Sequence, residues 1–234
     1  MPTDRPKIIC HMTSSLDGGL HPSRYTTSPD GTAKDWTALY EQLHDSMDAD
    51  GWIVGRVTMA EMAKGDPATP DAGARVERPV HIANTAAESY AVTVDRSAKL
   101  HFGKGDVGGD HVVVLLGGDV ADAHLAELAA SGVSYVVSDG AGIALPAALA
   151  TLKHDFGIET LLLEGGGGIN GTFLAAGLVD ELSVVMTSAL DGGTGAERIV
   201  KFDDGLKGKV TLSLTGCEQL AHGVVHLRYA VAAA

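Results

Sequence analysis

The sequence predicts an α/β fold: a mostly parallel sheet with helices on both faces and antiparallel strands at the C-terminal end. Three observations predict it. Short apolar runs alternate with helically spaced segments from Pro6 to Ala176, the pattern that builds parallel sheets covered on both faces. The runs Pro6–Met12 and His111–Leu116 are rich in aliphatic and β-branched residues, as buried strands are. After Ala176 the helical spacing stops, and Glu181–Met186, Lys209–Leu214 and Gly223–Val231 read as strands that extend the sheet in antiparallel fashion.

Taken in order, Pro6–Met12 (PKIICHM) is a first strand ending at the loop Thr13–Gly19. Between Thr32 and Met47 the spacing of Trp36, Leu39, Tyr40, Leu43 and Met47 predicts a helix. Gly51–Val54 is a second strand, and Gly55-Arg56-Val57-Thr58 turns into a helix carrying Met59, Met62 and Ala63. Asp66–Arg78 is a Pro/Ala/Asp-rich loop, and Pro79–Ala83 a third strand. Ala86–Gly109 is hard to read, with a weak strand signal at Ala91–Val94. Beyond it come strand His111–Leu116, helix Val120–Ala130, strand Val133–Val137, helix Leu145–Phe156, strand Thr160–Leu163 and helix Ile169–Ala176. In the last strand Val225, Leu227, Tyr229 and Val231 alternate with His226, Arg228 and Ala230, the period of a sheet with two unlike faces.

Composition narrows the function classes. The 234 residues suit one domain spanning the chain, 45% hydrophobic and 20% charged, within the globular range. A formal charge of −13 without a Lys/Arg cluster opposes nucleic acid and anionic membranes as partners. No apolar run reaches the length of a membrane span, and Met1–Pro6 lacks a signal-peptide pattern. Cys10 and Cys217 lie far apart with no C-x-x-C, so no disulfide framework is indicated and a cytoplasmic setting is expected. The ten histidines form no H-x-H or H-E-x-x-H, and no metal site is expected.

Two turns point to a phosphate-bearing ligand. Leu161-Leu162-Leu163-Glu164-Gly165-Gly166-Gly167-Gly168-Ile169-Asn170-Gly171 contains G-x-G-x-x-G between a strand and a helix. In that context glycines let the backbone approach a pyrophosphate, and the helix N-terminus offers free N–H groups. A tight turn with no ligand is the plain alternative. Too little strand–helix pattern follows Gly171 for a Rossmann dehydrogenase, so the turn belongs to some other nucleotide-binding α/β fold. The second turn, Gly55-Arg56-x-Thr58, adds a guanidinium and a hydroxyl suited to phosphate.

The motifs Ser14-Ser15-Leu16-Asp17-Gly18, Val54-Gly55-Arg56-Val57-Thr58 and Leu163-Glu164-Gly165-Gly166, with Leu178-Val179-Asp180-Glu181-Leu182, resemble the reductase domain of bacterial riboflavin biosynthesis. The likeness runs from Lys7 to Thr194 in matching order; Ala86–Asp110 and the C-terminal tail carry little of it. It implies a dihydrofolate reductase-like twisted, mostly parallel sheet, NADPH as cofactor, a small-molecule substrate and a homodimer. It places Gly55, Arg56, Thr58, Gly165, Gly166, Gly167, Gly168, Ile169 and Asn170 at the pyrophosphate, Asn84 and Thr85 on the adenosine side, and Ser138 along the cofactor. The S-L-D-G loop, with Ser15, would border nicotinamide and substrate, and Trp36 would line the substrate pocket. The family usually has Lys after S-L-D-G and this chain has Gly19; the deaminase pattern H-x-E with P-C-x-x-C is absent.

The expected chemistry is hydride transfer to a C=N, C=C or C=O carbon, the proton coming from Asp17, Glu164 or water. The riboflavin-pathway substrate 5-amino-6-(5-phosphoribosylamino)uracil is one alternative. A non-catalytic NADP-binding regulator and a structural dimerisation domain are two others. Each residue also has a plainer role: Asp17 a loop cap, Glu164 an anchor for the glycine turn, Trp36 and Trp52 packing. His11 and His44 are the histidines placed nearest the pocket, with structural or surface roles as their ordinary use.

Overall fold

Aliphatic runs form the strands, and the way each is paired decides what it can carry. The computed structural model describes residues 4–63, 65–68 and 76–234; part of the Asp66–Arg78 loop expected from sequence therefore lies outside the described residues. The chain divides into two compact units, Met1–Pro6 with Asp50–Leu161, and Lys7–Ala49 with Leu162–Ala234. No helix among the described residues is long and apolar enough to cross a membrane.

In the first unit, β2 (Gly51–Gly55), β4 (Tyr90–Val94), β6 (Asp110–Leu116) and β7 (Ser134–Val137) lie side by side in parallel. The short β3 (Val80–His81) closes the edge antiparallel to β7, and β5 (Asp106–Val107) pairs antiparallel with β6. Val112–Leu116 are fully buried, as expected of a parallel strand covered on both faces. The weak strand signal at Ala91–Val94 marks β4, a strand bonded on both sides. Helices α2 (Arg56–Met62), α3 (Asp122–Ala130) and α4 (Leu145–Phe156) connect the strands, and α4 ends at Gly157 in the left-handed conformation.

In the second unit, β1 (Lys7–Ser14) is parallel to β9 (Glu181–Met186), with Ile9 opposite Glu181. β11 (Val225–Ala233) is antiparallel to β9, and β10 (Val210–Gln219) antiparallel to β11, with a register shift between Leu214 and Gly216. This corrects the sequence expectation for Glu181–Met186: only the last two strands are antiparallel, because β9 returns beside β1 through α5 (Gly167–Ala175). Helix α1 (Ala33–Ser46) starts with a capping box between Thr32 and Asp35. Its Trp36 packs in a core with Val185, Ala189 and Val224. β8 (Thr160–Leu163) delivers the chain to Glu164.

Candidate active site

The second unit gathers most of the chemistry. Glu164 follows β8, and its Oε1 accepts hydrogen bonds from the Tyr40 hydroxyl at 2.6 Å and from His44 Nδ1 at 2.8 Å. Tyr40 and His44 are four apart on α1 and so share a face with Trp36. Burial and the Glu164 charge hold the Tyr40 phenol well above its ordinary range, so it stays a donor. His11 stacks on the Tyr40 ring at 4.4 Å between centroids. Its Nδ1 meets Ser183 Oγ at 3.0 Å, and Ser183 Oγ meets His226 Nε2 at 2.8 Å. Burial pushes His11 down to about 4, which makes it a neutral, structural ring at pH 7. It also pushes the adjacent Cys10 thiol up to about 12, so Cys10 is not a nucleophile.

The glycine turn is built for two purposes. Gly165 has φ +97°, which a side chain would strain. At Gly167 and Gly171 an added Cβ would sit 2.1 Å from the carbonyl oxygens of Arg198 and Lys201 respectively. Those two glycines therefore admit the segment 198–201. Gly168, by contrast, is exposed, and a Cβ there would meet nothing within 4 Å. Asn170 is fully buried and donates through Nδ2 to the Ile199 carbonyl at 2.7 Å. It ties down the same segment instead of facing solvent, and Ile169 beside it is half-buried.

The S-L-D-G loop is fastened to its surroundings in the same unit. Ser15 Oγ donates to Asp17 Oδ1 at 2.6 Å and accepts the Gly19 N–H at 2.9 Å. The Asp191 and Gly192 N–H groups donate to Asp17 Oδ1 and Oδ2 at 2.9 and 2.8 Å. These donors hold the Asp17 carboxyl far below the usual carboxylate range, the Ser15 hydroxyl contributing most. Asp17 is an anchored anion and has no proton to give at neutral pH. Ser15 is buried, and its hydroxyl is engaged inside the loop as both donor and acceptor. Trp36 is corrected: it is 4% exposed and its Nε1 donates to the His222 carbonyl at 3.0 Å, so it is core and not pocket wall.

Sequence reading missed the segment from Asp191 to Lys201, which has no motif of its own. It links both turns: Glu197, Arg198 and Ile199 pair with Leu20, Gly19 and Gly18, while the Lys201 N–H donates to Gly167. Asp191 is also ion-paired with Arg24 at 3.0 Å. A Cβ on Gly19 would lie 2.7 Å from Asp191 Cβ, so this loop has no room for the Lys that the family usually carries there.

In the first unit, Gly55 caps α2, and Arg56 and Thr58 are half-buried in its first turn. Among the described residues, no carboxylate forms an ion pair with Arg56. Asn84 and Thr85 are exposed, and Asn84 Oδ1 accepts the Ala86 N–H at 3.0 Å. Ser138 Oγ, half-buried after β7, accepts the Ala144 N–H at 3.2 Å.

Known proteins are similar to this chain. The family model "RibD C-terminal domain" covers residues 6–226. A 2,5-diamino-6-ribosylamino-4(3H)-pyrimidinone 5′-phosphate reductase of Methanothermobacter thermautotrophicus is 45% identical over 47 residues, which span 20% of this chain and 22% of that protein. Among solved structures, a pyrimidine reductase-like protein of Corynebacterium diphtheriae aligns with a TM-score of 0.67 at 20% identity, over 97% of this chain and 92% of that one. Acinetobacter baumannii RibD aligns at 0.65 and 20% identity over 98% of this chain and 58% of its own. The Saccharomyces cerevisiae riboflavin biosynthesis reductase Rib7 aligns at 0.60 and 17% over 99% and 92%. With its dihydrofolate reductase-like α/β fold and a family match along nearly its whole length, the chain belongs to the RibD C-terminal domain family.

Proposed function

We propose that this chain is an NADPH-dependent reductase that passes a hydride to an electrophilic carbon of a small pyrimidine-type substrate, with Glu164 managing the accompanying proton. The observation that carries the reading is Glu164 itself: one residue before the glycine turn, its Oε1 gripped by Tyr40 and His44. The Methanothermobacter and Saccharomyces proteins named above are reductases of a pyrimidinone phosphate and of riboflavin biosynthesis, and the Corynebacterium protein is pyrimidine reductase-like, which supports the same chemistry.

The residues present suit a dinucleotide. Arg56 is a cation without a carboxylate partner among the described residues, and Gly168 leaves open space above the turn. In the second unit Gly165–Ile169 would meet phosphate; in the first unit Gly55, Arg56 and Thr58 offer a phosphate contact of their own, and Asn84, Thr85 and Ser138 further polar contacts for a nucleotide. The bound nicotinamide supplies the hydride. His44 Nδ1 shares its proton with Glu164 Oε1, and the Tyr40 hydroxyl donates to that same oxygen. Asp17 organises the loop and stays ionised. Asn170 acts on the turn from beneath, through Ile199.

The substrate of first choice is 5-amino-6-(5-phosphoribosylamino)uracil. A second reading, a substrate held without the family's lysine, is favoured by the packing of Gly19 against Asp191. A homodimer is part of the proposal, supported by Leu212 and Leu214, 49% and 59% exposed on β10. Cytoplasmic placement is proposed from the absence of a disulfide framework.

The test is NADPH binding followed by NADPH oxidation with that uracil and, separately, with model imines, enones and ketones. Turnover of the uracil is the expected result; turnover of only the model compounds selects the second reading. No binding of NADPH or NADH at millimolar concentration refutes both.

A further inference from the structure

A cluster in the first unit belongs to none of the motifs above. Helix α3 buries Leu125, Ala126 and Leu128, and between them Glu127, only 6% exposed. A buried carboxylate needs compensating charge, and among the described residues no Lys or Arg supplies it. Two histidines do. His101 Nδ1 lies 2.6 Å from Glu127 Oε1, and His124, one helical turn before Glu127, places Nδ1 3.7 Å from Oε2. Ligand atoms from the three residues all fall within 4.8 Å of one another. His124 Nε2 is buried without a hydrogen-bond partner among the described residues.

We propose that His101, His124 and Glu127 form a binding site for a divalent transition-metal ion of the zinc class. Bonds of about 2.0–2.1 Å in a tetrahedron set ligand atoms about 3.3 Å apart. The observed 2.6 and 3.7 Å, one to each Glu127 oxygen, straddle that value, and with all the ligand atoms within 4.8 Å side-chain rotations that close a gap of up to about 1.5 Å complete the site. Two imidazole nitrogens and one carboxylate favour Zn²⁺, Co²⁺ or Ni²⁺ over Mg²⁺ or Ca²⁺, and water takes the fourth position. The loop bearing His101 is preset: Asp95 Oδ2 accepts the N–H groups of Lys99 and Leu100 at 2.6 and 2.7 Å. The rival arrangement is a metal-free pair in which a proton joins His101 to Glu127.

The experiment is titration of chelator-treated, full-length protein with ZnCl₂, CoCl₂ and MgCl₂, followed by calorimetry and by the visible spectrum of Co²⁺. The expected result is one Zn²⁺ per chain at micromolar or tighter affinity, a tetrahedral Co²⁺ spectrum and no Mg²⁺ binding. His101→Gln and His124→Gln should each weaken zinc by at least about tenfold. Zinc at a hundredfold excess over Kd should raise the wild-type Tm by about 5 °C or more, and this rise should vanish in the variants. The proposal is overturned if wild-type protein binds no stoichiometric zinc, or if both glutamine variants keep its affinity. The Co²⁺ spectrum uses unmodified protein, so a variant that fails to fold does not shield the idea.

Discussion

Methyl groups added to two glycines of the same turn should have opposite effects on folding. Gly171→Ala places a Cβ 2.1 Å from the Lys201 carbonyl oxygen and 2.7 Å from its carbon. Both are backbone atoms, so no rotamer change relieves the overlap, and overpacking of this kind costs about 1–3 kcal/mol. Gly168→Ala meets nothing within 4 Å. It lies in the first turn of α5 and gains up to about 1 kcal/mol from helix propensity and reduced unfolded-chain entropy. Urea unfolding followed by circular dichroism should therefore separate the two variants by about 1–4 kcal/mol. The same open position tests the ligand: Gly168→Asp should fold normally yet weaken NADPH by at least about tenfold, because its carboxylate faces the phosphates. A folded Gly168→Asp protein with wild-type NADPH affinity would remove the glycine turn from the cofactor site. Equal destabilisation by both alanines would refute the packing argument.

Two further outcomes follow from the buried and anchored ionisable groups. His11 falls from 6.5 to about 4 on burial, and His111, His124 and His226 are lowered too. The unfolded chain thus binds more protons across that window, and stability declines as the pH drops from about 6.5 to about 4. His11 alone contributes about 3 kcal/mol. Urea titrations across this range should show the decline and His11→Asn should flatten it; stability that rises on acidification contradicts the assignment. Asp17→Asn should loosen the Asp191–Gly192 contact while leaving the pH dependence of kcat unchanged. Disappearance of a protonation limb in that profile would make Asp17 the donor after all.

What the sequence revealed depended on whether the deciding interaction was local. The helical spacing of Trp36, Leu39, Tyr40, Leu43 and Met47 and the aliphatic run of β6 carry their structure in a few adjacent residues. β4 is hidden because its five residues gain their burial from β2 and β6 on either side. The direction of β9 is equally invisible, since apolar runs look alike whichever way they pair. At the site, Glu164 was legible from its place before the glycines. His44 was placed near the pocket, but its bond to Glu164 was not legible, and Tyr40 was not singled out at all, because its spacing reads as the apolar face of a helix and Glu164 lies 120 or more residues away from both. Four glycines suggested ligand contact throughout, whereas Gly167 and Gly171 admit a backbone segment that sequence could not place. His124 and Glu127 are visible as a helical pair, but His101 sits in the stretch that gave no pattern.

The central claim is that Glu164, held by Tyr40 and His44, serves the proton in an NADPH-linked reduction. Single-turnover oxidation of NADPH by the Glu164→Gln protein tests it most directly, with NADPH binding measured on the same sample. Glutamine preserves the shape, so NADPH should bind within about threefold of wild type while the reduction slows by about 10²–10⁴-fold. Wild-type turnover by a folded Glu164→Gln protein would contradict the account.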